Sequence, residues 1–557
     1  MAKTITNNSI GKVTASEKNP TSCNKLQFWV RSDVIIRPFD IVRIQHISRS
    51  SNQISFTYAI VQDLTYITDS AGHLSNYISS DFGNVDSIPF NKRLGTTIAD
   101  AEVLYNTEDI EMPLHDGAIV EWADEDGIKE ALGLNAYHNP IPAGYMSMSN
   151  GLNVPIDLEA DYLVGPEGAH LNIAGISGLA TKTSYAMFLL NAIQQKYNHN
   201  VTMIIFNVKG KDLLSIDTPA KILDAEITNS WEKCGLSPTP FQRVKYLYPY
   251  SFKDKDFFTL SHAKREILDE QIIKGIAHNY YYDFCDIQEK IYLLFSDIDD
   301  PNSTMESIFY DLNSQDFNSW DELFKLVSNR SKSGGTDKKE ISVQSWRKFN
   351  RILKSRVESH QDDLFREKDS LNAEKKRQKT IKESILDLNP GDVLVIDIEP
   401  LPDYLQCLVV GDVIKTIYQI KLGDIEDISP DKLKKTIIFA DELNKYAPKG
   451  IGSKRTLTND LLEITERGRS LGTVLFGAEQ FRSGVHDQIL GNCSTNVYGR
   501  TSPVEIGKCH DYRYFPSSYQ STATRLVKGS LLLQHAVFKT ALVKVNFPRP
   551  CYYQPED

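Results

Sequence analysis

Apolar residues recur along this chain in two rhythms. Up to about residue 160, short segments alternate apolar and polar positions or gather β-branched and aromatic residues, at 10–14, 25–30, 40–46, 53–64, 100–104 and 118–122. Turn formers separate them, among them Asn19-Pro20, Arg37-Pro38, the run 70–72 and Asp116-Gly117. Many short strands at such spacing predict a small β-barrel or sandwich. From 161 onward the pattern changes to mostly apolar runs at 171–174, 201–206, 391–400, 435–440 and 472–477. Runs of this kind are buried parallel strands. Stretches of helical spacing lie between them, at 401–421 and 457–468. Strand and helix in alternation predict an α/β fold, a mostly parallel sheet covered on both faces.

The alternation breaks at 241–390. Residues 251–326 are aromatic and acidic with helical spacing in places, and 329–339 (NRSKSGGTDKK) read as a flexible link. Residues 340–385 are strongly charged and predict exposed helices; the run AEKKRQKTIKE is either a solvated face or a contact for DNA or a partner. The chain thus divides into an N-terminal β domain (1–160), a first part of an α/β core (161–240), a helical insertion (241–390) and a second part of the core (391–557). That second part closes in a β-rich stretch, 529–547, patterned as a hairpin.

At 557 residues the chain is long enough for two or three domains. Composition, 41% hydrophobic and 24% charged, is that of a soluble globular protein. Its start, MAKTITNNSIGKV, has no apolar core of a secretory signal, and no run reaches the roughly 18–20 apolar residues of a membrane span. Seven scattered cysteines with no CxxC pair argue against a zinc ribbon or a disulfide framework. A cytoplasmic protein without membrane attachment is expected. A net charge of −11 confines any nucleic-acid contact to local basic loops, such as those lining a pore.

Two stretches carry chemistry. In HLNIAGISGLATKTSYAMFLL (170–190) a short strand leads through Gly175 and Gly178 into a helix opened by Thr181, Lys182, Thr183 and Ser184. Such a turn aims backbone N–H groups and a helix N-terminus at one spot, which suits phosphate oxygens. Lys182 would reach the β- and γ-phosphates of a nucleotide, and Thr183 or Ser184 would hold Mg²⁺. The phosphate-loop pattern wants glycine where Ile176 and Thr181 stand, so the loop reads as one residue longer than usual. Alone, this stretch is equally a structural strand–turn–helix. The second stretch, KTIIFADE (435–442), is a buried strand ending in Asp441 and Glu442 at the edge where open α/β sheets bind ligands. Asp441 would orient Mg²⁺ and its waters, and Glu442 would polarise the attacking water.

Other residues could complete a site. Gln480, just past the strand 472–477, is either a polar strand end or a sensor of the γ-phosphate. Arg467 and Arg469, in the expected turn EITERGRSLG, either pair locally with Glu463 or Glu466 or serve as an arginine finger on a neighbouring subunit's nucleotide. Arg500 is a second candidate for that work. Asn207, Lys209, Gly210 and Asp212 lie at or past the end of a strand and read most simply as a loop.

The order of parts resembles the HerA/FtsK group of ring-shaped ATPases, and HerA in particular. The β domain is similar to the HerA barrel. The Lys182 turn takes the place of Walker A, GDVLVIDIEPLP resembles the strand before Walker B, IIFADE matches Walker B, and ERGRSLGTVLFGAEQ resembles the stretch from arginine turn to sensor strand, with AEQ where ATQ is usual. The resemblance covers about 1–230 and 390–550. It implies a RecA-like P-loop core and ATP with Mg²⁺ as cofactors. It implies hydrolysis in a homo-hexamer that moves double-stranded DNA through its channel. In those roles Lys182 and Thr183 bind ATP and Thr183 and Asp441 hold Mg²⁺. Glu442 activates water, Gln480 senses the γ-phosphate and Arg467 is given in trans. Bacterial relatives accompany an anti-phage effector enzyme, a sirtuin-type NAD hydrolase or a nuclease, which the resemblance docks on the N-terminal domain. A scaffold ring with little motor activity is the alternative.

Overall fold

The computed structural model describes residues 8–50, 54–79, 81–86, 94–176, 181–197, 200–298, 304–315, 317–333, 341–360, 363–366, 377–450 and 456–555. Of the expected link 329–339, residues 334–339 lie outside them, and 329–333 are not a link but the last turns of the helix Trp320–Ser333; of the charge run 373–383, residues 373–376 lie outside them.

Six antiparallel strands close the N-terminal barrel: β1 (Ser9–Thr14), β2 (Lys25–Val30), β3 (Ile41–His46), β4 (Ser55–Thr68), β5 (Gly95–Asn106) and β6 (Ile119–Trp122), in the order β1-β2-β5-β4-β3-β6. Alternation does the sorting, as period 2 requires. In β2, Leu26, Phe28 and Val30 point into a core with Ile44, Val61 and Val120, while Trp29 is left exposed.

The rest of the chain is built on one thirteen-stranded sheet. Its strands are β7 (Pro140–Ser147), β8 (Asn153–Glu159), β9 (Leu171–Ala174), β10 (Val201–Asn207), β11 (Val244–Pro249), β12 (Ala277–Tyr280), β13 (Gln378–Lys379), β14 (Val393–Asp397), β15 (Lys435–Asp441), β16 (Thr473–Glu479), β17 (Thr495–Tyr498), β18 (Ser530–His535) and β19 (Val543–Asn546). The order is β13-β12-β11-β14-β10-β15-β16-β9-β17-β18-β19-β7-β8. From β13 to β17 all pairings are parallel. From β17 to β8 they are antiparallel, so β18 and β19 form the expected hairpin.

Both faces of the central strands are apolar, and the pleat divides them. Ile437 and Phe439 of β15 pack with Tyr185, Met187 and Leu189 of the helix Thr181–Tyr197. Ile438 and Ala440 pack on the opposite face, with Leu408 and Val413 of the helix Asp403–Leu422 and Leu461 and Ile464 of the helix Thr456–Leu471. Each buried Ile, Leu, Met, Phe or Val side chain of this kind contributes about 1.5–3 kcal/mol. This two-faced burial gives the sheet its rigidity and fixes where the strand ends lie.

Three sequence expectations change. Strands β7 and β8, assigned to a β domain of 1–160, join the far edge of the large sheet, where β7 pairs with β19 and Ile141, Ala143 and Met146 enter the core that covers that sheet. The segment 241–390 is not wholly helical. It adds β11, β12 and β13 to the other edge, and its helices, such as Val343–Val357, pack Trp346, Phe349 and Leu353 into the same core as β14. Third, Arg467 and Arg469 stand in the last turns of the helix Thr456–Leu471, not in a turn. Gly472, at φ +68, ends that helix one step before β16. Among the described residues no helix is long and apolar enough to cross a membrane.

Candidate functional site

Strand order decides which side chains meet. The helix after β9 carries the chain across to β10, yet two later strands, β15 and β16, fill the gap between those two. The carboxyl ends of β9, β16 and β15 therefore stand side by side, at the edge where such sheets bind ligands.

At the end of β9 the backbone closes on its neighbours. Gly175 N–H donates to the Glu479 carbonyl at 3.2 Å, and Ile176 N–H donates to the Arg500 carbonyl at 2.8 Å. A Cβ on Gly175 would come within 3.2 Å of Gly499 Cα, tighter than most such contacts, so the Gly499 backbone would have to give by a few tenths of an ångström to admit a side chain. Gly178 lies outside the described residues. The helix resumes at Thr181, and Lys182, only 8% exposed, turns back to donate from Nζ to the Gly175 carbonyl at 2.9 Å. Burial pulls the Lys182 ammonium below its ordinary pKa, with Lys209 adding to the shift, while Asp441, Glu479 and Glu442 oppose it. One residue on, Thr183 Oγ1 donates to Asp441 Oδ2 at 3.2 Å. Ser184 is half-buried beside it.

Asp441, also 8% exposed, closes β15. Its Oδ1 accepts from the Glu442 N–H at 2.9 Å. Glu442 adopts φ 58°, ψ 44°, a left-handed conformation that a non-glycine residue takes only under constraint. The turn leads into the short helix Leu443–Tyr446 and directs the carboxylate to two ammonium groups, Lys209 on Oε1 and Lys445 on Oε2, the latter at 2.9 Å. Burial alone would raise the Glu442 carboxyl, but the two lysines outweigh it and hold the group below the usual glutamate value.

Between these two strand ends lies Glu479, the last residue of β16. It is fully buried, and burial pushes its carboxyl up to about 8 against the opposing pull of Arg482 and Asn172. Asn172 Nδ2 donates to Oε2 at 2.9 Å, and Oε1 has no hydrogen-bond partner among the described residues. Asn172 Oδ1 accepts from Arg482, which is 3% exposed and donates through Nε to Asp511 at 2.7 Å. Gln480 follows, half-buried at the same edge.

A measurable consequence concerns Glu479. Its folded pKa stands above the unfolded value, so unfolding releases a proton between about pH 4.5 and 8 and stability falls as pH rises through that window. Glu479→Gln removes the ionisable group and keeps the size. In urea melts of nucleotide-free protein, that variant is expected to show a shallower decline, keeping the part due to Asp397 and Asp460, whose carboxyls burial pushes up to about 6, and to exceed the wild type in stability at pH 8.

The arginines have local partners. Arg467, with a 70% exposed side chain, pairs with Glu463 at 3.4 Å. Arg469 Nη1 donates to the Glu167 carbonyl at 3.0 Å, and Arg500 Nε donates to the Thr524 carbonyl at 3.1 Å. Thus Lys182, Thr183, Asp441 and Glu442 converge, Gln480 follows Glu479 at the same sheet edge, and Arg467 is engaged locally by Glu463 and Tyr418. Sequence reasoning missed Lys209, taken for a loop residue, and the buried trio Glu479, Asn172 and Arg482. The trace of that trio in the sequence is Asn172 and Glu479, polar residues set in apolar strands; Arg482 lies in the turn that follows.

The donor set suits a magnesium nucleotide. A hydroxyl and a carboxylate oxygen lie together at Thr183 and Asp441, and among the described residues no group of three or more His, Cys, Asp or Glu gathers as an all-protein metal cage would need. Mg²⁺ usually takes one or two protein oxygens and completes its shell with phosphates and water.

No protein-family model and no curated protein matches the chain. Among solved structures it is similar to the plasmid coupling protein TrwB in complex with ADP and Mg²⁺, at 12% identity over 69% of this chain and 88% of that one, TM-score 0.41. It is also similar to VirB4 of Thermoanaerobacter pseudethanolicus, at 11% identity over 74% and 96%, TM-score 0.41. A third likeness is to ATPases 2 and 3 of EssC from Geobacillus thermodenitrificans, at 12% identity over 75% and 46%, TM-score 0.28. Likenesses this distant carry no functional weight; strand order and side-chain geometry do.

Proposed function

We propose that this chain is a ring-forming ATP hydrolase of the HerA/FtsK type that moves double-stranded DNA as a homo-hexamer. The observation that supports it most is the 3.2 Å bond from Thr183 to Asp441. It joins the helix N-terminus after β9 to the acidic end of β15 and sets Lys182 beside both.

Each residue has work to do in such a reaction. Lys182 exchanges the Gly175 carbonyl for β- and γ-phosphate oxygens, and the N-terminus of its helix adds backbone N–H groups. Thr183 and Asp441 hold Mg²⁺, which when bound neutralises charge on the β- and γ-phosphates. Glu442 takes a proton from water as the water oxygen bonds to the γ-phosphorus, and the bond to the ADP oxygen breaks. Gln480 contacts the γ-phosphate or the water. Arg467 comes from the adjoining subunit. With a net charge of −11, DNA contact falls to local basic loops.

Purified protein with Mg²⁺ and ATP should release phosphate, faster with duplex DNA, and Lys182→Ala should release none. No release by the wild type under any of these conditions would overturn the reading.

A second reading has its own observation. Glu442 is pinned by two lysines, and a pinned base suits a ring that chiefly organises an effector, a sirtuin-type NAD hydrolase or a nuclease, through the barrel. A ring that activates its effector equally well after Lys182→Ala would favour that scaffold.

A further inference from the structure

The helix Val343–Val357 carries Arg347, Lys348, Arg351, Lys354 and Arg356 and no acidic residue, in a chain whose net charge is −11. Its apolar residues Trp346, Phe349, Leu353 and Val357 are buried, which fixes its orientation and turns Arg347, Lys348 and Arg351 to solvent. Neighbouring carboxylates are engaged elsewhere: Asp297 with Arg356 at 2.6 Å, Asp311 with Arg330 at 3.4 Å and Glu358 with Lys354 at 3.5 Å. Among the described residues no carboxylate pairs with Lys348 or Arg351. Arg351 therefore has like charges three or four positions away on both sides, at Arg347, Lys348 and Lys354, an arrangement that destabilises a helix. A groove of about 680 Å³ between this helix and Trp320–Ser333 adds Lys325 and Lys332 beside Lys354, against Asp321 and Glu358.

A row of cations that repel one another and find no counter-ion within the fold fits a polyanion from outside. We infer that this helix face is a docking surface for the phosphodiester backbone of double-stranded DNA, separate from the nucleotide site. The choice of DNA rests on the proposed function; nothing in the inference needs ATP chemistry. Along the helix axis Arg347, Arg351 and Lys354 follow one another in steps of about 6 and 4.5 Å, the scale of phosphates that rise by roughly 3.4 Å along each strand. Single strands are held by bases stacked on aromatic side chains, and here Trp346 and Phe349 face inward. A membrane surface would need the apolar face that the core already covers. Contacts to phosphate alone position a duplex without reading its sequence. The C-terminal end of the helix reaches the carboxyl side of the sheet, where Arg356 lies 4.7 Å from the ring centroid of Tyr404, in the first turn of the helix that follows β14. DNA on the row is thus held on the side of the sheet where the nucleotide edge lies.

The test compares wild type with a neutral double variant, Lys348→Gln with Arg351→Gln, and a charge-keeping one, Lys348→Arg with Arg351→Lys. Affinity of the nucleotide-free protein for duplex DNA is measured by fluorescence anisotropy across a salt series. The neutral variant is expected to lower the slope of log affinity against log salt by about two, since each phosphate contact contributes about 0.9, and to do so equally for duplexes of unrelated sequence. The charge-keeping variant should retain the wild-type slope. In thermal melts the neutral variant should match or exceed the wild type, because repulsion around Arg351 is relieved. An unchanged slope in the neutral variant overturns the inference alone and leaves the row to an acidic protein surface. A slope lowered as much in the charge-keeping variant overturns it too, as does a neutral variant that melts well below the wild type, since the row would then serve the fold. No duplex binding by the wild type at any salt overturns the DNA reading and the inference together.

Discussion

Arg467→Ala is expected to cut ATP turnover about 10³-fold or more while leaving nucleotide affinity nearly unchanged, the size of effect that an arginine lent to a transferring phosphoryl group supplies. The residue is suited to it. It sits in the last turns of the helix Thr456–Leu471, and its side chain is 70% exposed. Its partner Glu463, four residues earlier at 3.4 Å, is a weak competitor, since exposed pairs of this kind are worth about 0.3–0.5 kcal/mol. Trans action has its own signature. Mixing Arg467→Ala with Glu442→Gln should restore part of the activity, because some interfaces then pair an intact Glu442 with an intact Arg467. A small loss in the single variant, or no recovery in the mixture, would remove Arg467 from the site.

Glu442→Gln is the second large effect expected, a loss of about 10² to 10⁴-fold in the hydrolytic step, the range for a positioned general base. The substitution keeps the length and the backbone shape at φ 58° and removes the charge. Single-turnover phosphate release should collapse while analogue binding persists, since Lys182, Thr183 and Asp441 remain. Turnover within a factor of a few of wild type would assign the base to another group.

Much of this site was legible because its parts sit on long apolar runs. The strands around 171–174, 201–206, 435–440 and 472–477 could be read directly; Asp441 and Glu442 stand at the end of one of them, and Lys182 and Thr183 open the helix that follows 171–174. Legibility failed where a residue's reason was tertiary. Gly468 suggested a turn, yet a Cβ there would meet the Thr473 carbonyl at 2.4 Å, so the glycine serves close packing inside a helix, and Arg467 is helical with it. Strands β11 to β13 were hidden because they are short and rich in Tyr, Asn and Gln, with side chains such as Tyr246, Tyr248 and Asn279 buried through bonds to distant partners. The Lys209–Glu442 pair and the Glu479–Asn172–Arg482 chain join residues hundreds of positions apart, beyond any local pattern. The altered loop carries both lessons. Its glycines departed from the phosphate-loop spacing, yet Gly175 still makes the close backbone approach and Lys182 still folds over it.

The central claim is that one triphosphate binds between the Lys182 turn and the Asp441–Glu442 strand end. Calorimetric titration with Mg²⁺ and a non-hydrolysable ATP analogue tests it most directly. The account predicts one saturable site per chain in the wild type, retained in Glu442→Gln and lost in Lys182→Ala. Undiminished binding by a folded Lys182→Ala protein would contradict it.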